Sequence, residues 1–453
     1  MDINTAPRAE LVRLIYEMAD QIAVLKGELA RLQEQLHQKG KKDTTAPETP
    51  AFVKANSKKK RKKTERKKRA TAFTRKRETP TAQVFHTEET CTRCGSELGK
   101  PVVAYTRQVI DIPLVPYSVT EHVVFRRWCY TCKKCMQPVV DFSKLVMGNG
   151  RIGINLAATV ATMRDRMRLP IAVIQQYLKL FYQLHVSKGE IVTLLHMAAQ
   201  VGKPTYDGFL QAIQSAEVVH ADETGGREDG KNGYFWSFST DMVHFLLYRK
   251  SRAAKVVEEI VGTESEKFNG VLTTDFYAAY NTYCGFHQRC WVHLFRDMHE
   301  LKEKHKKHPP LNKWAKAVKA IYEEAKAYTG PTPDTRVGLV AQQRIEKQHF
   351  FEEKLKKICA PYTTREVPMT TLCGRIMTFM QELFVFVRFP NVASDNNYAE
   401  RMVRHTVIAR EIQGGTRSAK GSETKSILTS LFDTWRLQGK NPLQECRLLL
   451  ATC

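Results

Sequence analysis

Three acidic residues stand in segments whose patterns suit metal-dependent phosphoryl transfer. Asp222 and Asp275 each close a short apolar run, and Glu400 lies in a helical pattern far downstream. Two carboxylates at the ends of neighbouring strands and one from a helix can converge on a pair of Mg²⁺ or Mn²⁺ ions, which would clamp the attacking and leaving oxygens of a phosphodiester. The three residues therefore predict the breakage and joining of DNA.

Neighbouring acids offer simpler or competing interpretations. Glu223 is the alternative to Asp222 as first ligand, although in extended backbone it points to the other side of the chain. Asp395, at the start of the helix that carries Glu400, is explained more simply as a helix N-cap.

Five of the eleven cysteines crowd between Cys91 and Cys135 with two-residue spacings. This spacing favours metal binding in a reduced compartment over a disulfide framework. Two cysteine pairs would complete one tetrahedral Zn²⁺ site in a ribbon-like module, with strands over runs such as 102–105 and 109–112. The expected ligands are Cys91, Cys94, Cys132 and Cys135. Cys129 has the same spacing to Cys132 and is the alternative partner. The other six cysteines are expected to be small buried residues.

The net charge of +24 indicates an acidic partner. Residues 54–77 hold fourteen Lys or Arg against the single Glu65, so more than half of the net charge lies in one stretch. Such a block should be disordered when free and suits phosphate contacts. The predicted DNA-binding residues in it are Lys58, Lys59, Lys60, Arg61, Lys62, Lys63, Arg66, Lys67, Lys68 and Arg69.

A seam of apolar residues at alternating spacings of four and three precedes this block: Leu11, Ile15, Met18, Ile22, Leu25, Leu29, Leu32 and Leu36. The seam predicts a coiled coil and hence a homo-oligomer, expected to be a dimer. The alternative is a single amphipathic helix that packs on its own domain.

The chain of 453 residues is too long for one compact core. No apolar run approaches the roughly 18 residues of a membrane span, and the N-terminus lacks the layout of a signal peptide. We therefore expect an intracellular protein in the bacterial cytoplasm, associated with the nucleoid and not with a membrane.

The patterns predict a multidomain α+β protein. Residues 218–221, 234–238 and 243–248 resemble three successive strands, and a helix at 251–261 and a strand at 271–274 follow, which is the layout of an RNase H-like mixed sheet. The expected segments are a coiled coil (8–40), a basic disordered linker (41–84), a zinc-binding module (85–145), a helical segment (151–212), a first part of the RNase H-like core (213–300), an α-helical insertion (301–390) and a second part of the core with the C-terminal tail (391–453).

Residues 151–212 allow two interpretations. Turn signals at Leu169-Pro170 and around Ser187, a plausible N-cap, fit a helix-turn-helix that binds DNA, and a plain helical connector fits equally well.

Two further groups of residues could contact DNA or a metal, one directly after Glu400 and one around residue 290. Arg401 and Arg404 share a helix face and would hold DNA phosphates, with solvated surface charge as the alternative. Cys290 and His293 resemble half of a metal site, but a packing or DNA-positioning role is favoured over zinc.

Four short motifs occur in a specific order: Asp222-Glu223-Thr224, Thr274-Asp275-x-Tyr277-x-x-Tyr280, Cys290-Trp291-x-His293 and Asn396-Asn397-x-Ala399-Glu400-Arg401. This set resembles the insertion-sequence-sixty-six transposases. The N-terminal helix, the cysteine pairs and the C-terminal Gly439-x-Asn441-Pro442 also match, so the resemblance covers nearly the whole chain. After Glu400, the segment 410–415 departs from the family because it lacks the aromatic residue of a basic-aromatic stretch.

The resemblance implies that Asp222, Asp275 and Glu400 form a DDE triad and that the four cysteines named above bind zinc. It implies a transposase that binds the terminal repeats of its element, hydrolyses a strand at each end and uses the freed 3′-OH to attack target DNA. Its partners would be double-stranded DNA, a second copy of the chain and accessory proteins of the same element. The alternatives are a structure-selective nuclease, which cuts without joining, and a zinc-ribbon DNA-binding regulator without catalysis.

Overall fold

A computed structural model describes residues 77, 79–110, 117–148, 150–262, 268–328 and 337–452, with the backbone alone for 337–341. The predicted coiled coil at 8–40 and the basic residues between Lys58 and Arg69 lie outside these ranges. The chain divides between residues 110 and 111 into two units. Among the described helices, none combines the length and the apolar character needed to cross a bilayer.

The second group of cysteines lies on a short antiparallel hairpin. Its strands are β1 (Arg127–Cys129) and β2 (Lys134–Met136), with Cys129 opposite Lys134. In the other unit, an isolated bridge joins Thr90 to Glu97. The strands predicted at 102–105 and 109–112 are wrong for their described residues, 102–105 and 109–110, which form no strand and are exposed. β-branched residues alone do not make a strand where no neighbouring strand pairs with them.

A mixed five-stranded sheet forms the centre of the second unit. Its strands are β3 (Val218–Glu228), β4 (Lys231–Ser239), β5 (His244–Arg249), β6 (Val271–Thr274) and β7 (His287–Arg289). The order across the sheet is β5-β4-β3-β6-β7. β3 is antiparallel to β4 and parallel to β6, and β6 is parallel to β7. The four predicted strands are confirmed. β7 is not evident from the sequence, because its three polar side chains are all buried.

Within the described residues, three helices precede the sheet: α1 (Ile154–Asp165), α2 (Ile171–Tyr182) and α3 (Lys188–Gln214). Ser187 caps α3 as predicted, with its hydroxyl accepting a hydrogen bond from the Glu190 amide at 3.0 Å. The apolar face of α3 belongs to the same hydrophobic core as the sheet. Residues 151–212 are therefore helical and share a hydrophobic core with the sheet, and the helix-turn-helix interpretation stays a prediction.

Helices follow the sheet in two groups. One helix, α4 (Lys255–Val261), lies between β5 and β6. The first group after β7 consists of α5 (Trp291–Lys304), α6 (Pro309–Ala327), α7 (Val337–Cys359), α8 (Thr370–Thr378), α9 (Met380–Leu383) and α10 (Val385–Arg388). These helices enclose a second hydrophobic core, which bears out the predicted helical character of the insertion. The last group is α11 (Asn397–Gln413), α12 (Ala419–Leu437) and α13 (Pro442–Leu450).

α12 lies against both β5 and α3. At Gly202 in α3, an added Cβ would stand 2.4 Å from a methyl carbon of Leu431 in α12. This close helix crossing locks the C-terminal part of the chain onto the sheet.

Candidate active site

The register of two parallel strands brings the two aspartates together. His220 in β3 stands opposite Thr273 in β6. Two residues further along each chain come Asp222 and Asp275, so the same register places their backbones side by side. Because side chains alternate along a strand, His220, Asp222 and Thr224 share one face of β3, which we call the α11 face. α11 packs against β3.

Asn396 attaches the start of α11 to the strand that carries Asp222. Its side-chain amide donates to the carbonyl of Ala221 at 2.8 Å, and its Oδ1 lies 3.4 Å from Nδ1 of His220. Its main-chain amide donates to Sγ of Cys290 at 3.1 Å. Glu400 follows one helical turn later, and its amide donates to the Asn396 carbonyl at 3.2 Å. The third carboxylate is therefore carried by a helix that is anchored beside Asp222.

The segment from Cys290 to His293 forms the junction between β6 and α11. The Cys290 amide donates to the Thr274 carbonyl at 2.9 Å, and the Trp291 amide donates to the Ser394 carbonyl at 3.1 Å. The Cys290 thiol is fully buried. Cys290 therefore packs inside the protein, in line with the favoured packing role. His293 does not share this role, because its ring lies beside Glu400.

Glu400 is held by two basic side chains of α5. Its Oε1 lies 3.6 Å from Nε2 of His293 and 3.7 Å from Nη2 of Arg296. Nδ1 of His293 is buried and has no hydrogen-bond partner among the described residues.

The carboxyl group of Asp222 forms no ion pair with a cationic side chain within the described residues. Burial, and then the negative charges of Glu223 and Asp275, raise its pKa to about 8. The only hydrogen bond to its carboxylate within the described residues comes from the Glu223 amide, at 2.8 Å. A carboxylate in this position favours a bound cation.

Glu223 is in the opposite situation. Its carboxylate accepts from Nη2 of Arg252 at 2.6 Å and from the hydroxyl of Tyr280 at 2.5 Å. The Arg252 guanidinium also stacks 3.8 Å from the centre of the Tyr277 ring. Glu223 is therefore already neutralised, which favours Asp222 as the metal ligand of the two.

Carboxylate oxygens are the ligands that Mg²⁺ prefers, so the donor set fits this ion. As the side chains stand, however, no three His, Cys, Asp or Glu within the described residues are grouped closely enough to hold a metal. Glu400 instead contacts His293 and Arg296. Binding of cations would require it to turn toward the two aspartates.

Three other predicted residues are described near the site. The Asp395 carboxylate accepts from the Asn397 amide at 3.1 Å, but α11 has Asn396 at its N-cap position, so the predicted cap is displaced by one residue. Arg401 and Arg404 are exposed on α11, and the Arg401 guanidinium lies 5.5 Å from the centre of the Tyr398 ring.

Sequence reasoning missed the partners of two acids. Arg252, which binds Glu223, lies on a different segment, and no spacing signals the pair. Tyr277 and Tyr280 stand in a recognised motif, which marked them as relevant without indicating their contacts. Arg296 follows His293 within one turn of α5, so the helical period could have revealed it.

The cysteine pairs have local geometry that suits thiolates. Sγ of Cys129 accepts from the Cys132 amide at 3.4 Å, and this bond lowers the pKa of Cys129. Hydrogen bonds from Ser96 lower the pKa of Cys94. Of the six scattered cysteines, Cys290, Cys359, Cys373 and Cys446 are buried as expected. Cys284 is exposed, which contradicts that expectation, and Cys453 lies outside the described residues.

Two family models match the chain. Residues 149–424 match the model described as "Transposase IS66 family", and residues 88–133 match the "zinc-finger binding domain of transposase IS66". The second match includes Cys91, Cys94, Cys129 and Cys132 and ends before Cys135.

Two curated relatives come from Sinorhizobium fredii. The uncharacterized protein y4hP is 22% identical over 395 residues, which cover 79% of this chain and 69% of that protein. The uncharacterized protein y4jD is 21% identical over 379 residues, which cover 78% of this chain and 72% of that protein.

Proposed function

The chain belongs to the IS66 family of transposases, and we propose that it is a DDE transposase that cuts and rejoins DNA at the ends of its element. In the first step, water attacks a phosphodiester at the element end, and the 3′-oxygen leaves as a 3′-OH. In the second step, that 3′-OH attacks a phosphodiester of target DNA, a new P–O bond forms and the target 3′-oxygen leaves. No side chain needs to bond covalently to DNA.

The core is proposed to be RNase H-like. Three antiparallel strands followed by two parallel strands, in the order β5-β4-β3-β6-β7, support this assignment. The observation that carries the functional proposal is the register of β3 and β6 together with the Asn396 anchor, because these contacts bring three distant carboxylates to one face of the sheet.

The proposed metal ligands are Asp222, Asp275 and Glu400. Two Mg²⁺ or Mn²⁺ ions, when bound there, would supply Lewis-acid activation of the nucleophile and stabilise the leaving oxygen. His293 and Arg296 would be released from Glu400 as its carboxylate turns inward, and the imidazole and the guanidinium would then face the phosphate. Arg401 and Arg404 are proposed to contact DNA from the exposed side of α11.

One structural Zn²⁺ is proposed to bind Cys91, Cys94, Cys129 and Cys132. The extent of the zinc-finger match and the bond from the Cys132 amide to the Cys129 thiol support Cys129 over Cys135 as the partner of Cys132. The pair expected from the sequence, Cys132 with Cys135, is the alternative.

The N-terminal region is proposed to pair two chains through residues 8–40 and to bind phosphates through the block from Lys58 to Arg69. A dimer would bring two element ends together. A requirement for accessory proteins stays a prediction.

Mapping of DNA ends tests the proposal. The full chain is incubated with DNA that carries the element ends and a target, with Mg²⁺, and the 3′ termini and joined products are sequenced. Asp222→Asn, Asp275→Asn and Glu400→Gln should each abolish cutting and joining while end binding persists. Glu223→Gln is the matched control and should keep activity, because its amide oxygen can still accept from Arg252 and its amide NH2 can donate to the Tyr280 hydroxyl.

The same experiment separates the alternatives. Cutting by the wild type without any joined product would favour the structure-selective nuclease. End binding without metal-dependent cutting would favour the zinc-ribbon regulator. An inactive Glu223→Gln beside an active Asp222→Asn would show that the first ligand is Glu223.

A further inference from the structure

Three basic side chains from three different helices meet at the far end of the α11 face. They are Arg164 of α1, Arg410 of α11 and Lys425 of α12, and all three are half-buried. Lys425 lies close enough to both arginines for their charges to act on it. We call these three residues the cationic cluster.

Local contacts fix the cluster in place. Nη1 of Arg410 donates to Oγ1 of Thr224 at 3.1 Å and also to the Gly225 carbonyl. Nζ of Lys425 lies 5.0 Å from the centre of the Phe235 ring, and Phe235 stands opposite Thr224 in the sheet. Residues directly opposite in an antiparallel pair share a face. The cluster therefore lies on the face that carries Asp222.

Arg164 of α1 is held beside Arg410 by hydrogen bonds of its own. Its carbonyl accepts from the side-chain amide of Gln413 at 2.6 Å, three residues after Arg410 on α11. Its Nη1 donates to the Leu169 carbonyl at 3.1 Å.

The cationic cluster is not neutralised by an ion pair, because none joins Arg164, Arg410 or Lys425 to an acid within the described residues. Asp165 attracts Lys425, but its carboxylate is buried and accepts from the Thr429 hydroxyl at 2.7 Å. Burial, followed by the charge of Arg164, lowers the pKa of Lys425 to about 8. Three half-buried like charges cost stability unless an anion joins them.

The distance from the carboxylates suits a continuous DNA strand. Gly225 lies three residues beyond Asp222, or about 10 Å along β3. Arg410 lies ten residues beyond Glu400, or about 15 Å along α11. Measured along the axis of duplex DNA, at ~3.4 Å per nucleotide of one strand, these lengths correspond to roughly three to four nucleotides.

We propose that the cationic cluster of Arg164, Arg410 and Lys425 binds a backbone phosphate of the DNA strand three to four nucleotides from the phosphodiester at the carboxylates. Contacts of this kind fix the position of the strand and do not read its sequence. The inference rests on the proposed function, because it takes DNA as the ligand.

Lys425→Met tests the proposal, because it removes the charge and keeps an unbranched side chain over Phe235. Fluorescence anisotropy on the full chain, with Ca²⁺ in place of Mg²⁺, measures end-DNA affinity over a series of salt concentrations. Affinity at ~0.1 M salt should fall about fivefold to tenfold, and the slope of log affinity against log salt should drop by about 1. Lys425→Arg should restore both.

A second readout distinguishes binding from a structural role. Since Lys425 is repelled by its neighbours, the melting temperature of Lys425→Met without DNA should equal or exceed that of the wild type. Inorganic phosphate should raise the melting temperature of the wild type more than that of the variant. The matched control is Lys316→Gln on α6, an exposed lysine outside every segment predicted to bind DNA, which should change affinity less than twofold.

Three results would overturn the inference: unchanged affinity and salt slope in Lys425→Met, a lowered melting temperature that arginine does not restore, or a phosphate effect without any change in DNA binding. The last result would mean that the cluster takes a free anion. Failure of the wild type to cut end DNA is a different outcome, because it refutes the proposed function and leaves the binding measurements intact.

Discussion

Replacing Asn396 by alanine should impair cutting while leaving all three carboxylates in the chain. Asn396 is 1% exposed, and its amide donates to the Ala221 carbonyl at 2.8 Å. Truncation leaves that carbonyl without its partner inside the protein, which costs about 1–3 kcal/mol of unfolding free energy. The contact between the start of α11 and the strand that carries Asp222 is lost with it.

The effect on rate should exceed what this loss of stability explains. Glu400 lies one turn after Asn396, so a shift in the helix start moves the third carboxylate. A misplacement of ~1 Å costs about a hundredfold in rate, or about 2.7 kcal/mol of transition-state stabilisation. A protein that begins with about 5–15 kcal/mol of stability stays folded after losing 1–3 kcal/mol.

Cutting of end DNA at saturating Mg²⁺ and denaturant unfolding should be measured on the same preparations. Asn397→Ala is the matched control, because Asn397 is the adjacent half-buried asparagine and its side chain makes no hydrogen bond within the described residues. The control should cut within a few fold of the wild type. If Asn396→Ala loses stability but cuts at the wild-type rate, Asn396 does not position Glu400 and the reasoning is refuted.

Three further predictions concern metal, pH and assembly. Cys129→Ser should lose Zn²⁺ by elemental analysis while Cys135→Ser keeps one ion per chain, and the reverse result would restore the Cys132–Cys135 pair. Burial opposes protonation of His405, but its bond to Asp433 raises the pKa of His405 above its usual value. The stability lost in His405→Asn should therefore be greatest below pH ~6.5 and should shrink as the pH rises through the raised pKa. Denaturant titrations at several pH values measure this loss. Deleting residues 1–40 should lower the mass by light scattering and impair paired-end joining more than single-end binding, and an unchanged mass would contradict the coiled coil.

The sequence predicts those parts of the site that depend on local pattern. Asp222 and Asp275 follow apolar runs that form β3 and β6, and the Ser187 cap follows from the residue type before a helical period. β7 could not be predicted, because Arg289 is buried through bonds to Glu382 and Asn281. Glu382 is distant in sequence, and Asn281 lies in a short 3-10 helix before the strand, where no periodic pattern marks it. The same holds for the Arg252–Glu223 pair. Contacts between separate segments leave no periodicity that a single sequence can reveal.

A contrast within the fold separates functional charges from structural ones. Ser237, His244 and Asp433 lie in the order of a hydrolytic triad, with Oγ 3.0 Å from Nε2 and Nδ1 3.1 Å from the carboxylate. All three are at most 1% exposed, so no substrate reaches the hydroxyl.

The charge on Asp433 is also fully neutralised. Burial would raise the pKa of Asp433, but the hydrogen bonds from His244 and His405 outweigh it and hold the pKa well below its usual range. Arg166 adds an ion pair at 2.7 Å. Asp222 and Lys425, by contrast, lie on the α11 face, and within the part of the chain that the structure describes neither forms an ion pair with a group of opposite charge. Since an unpaired half-buried charge costs stability, both residues indicate ligands of opposite sign, cations at one end of the face and phosphate at the other.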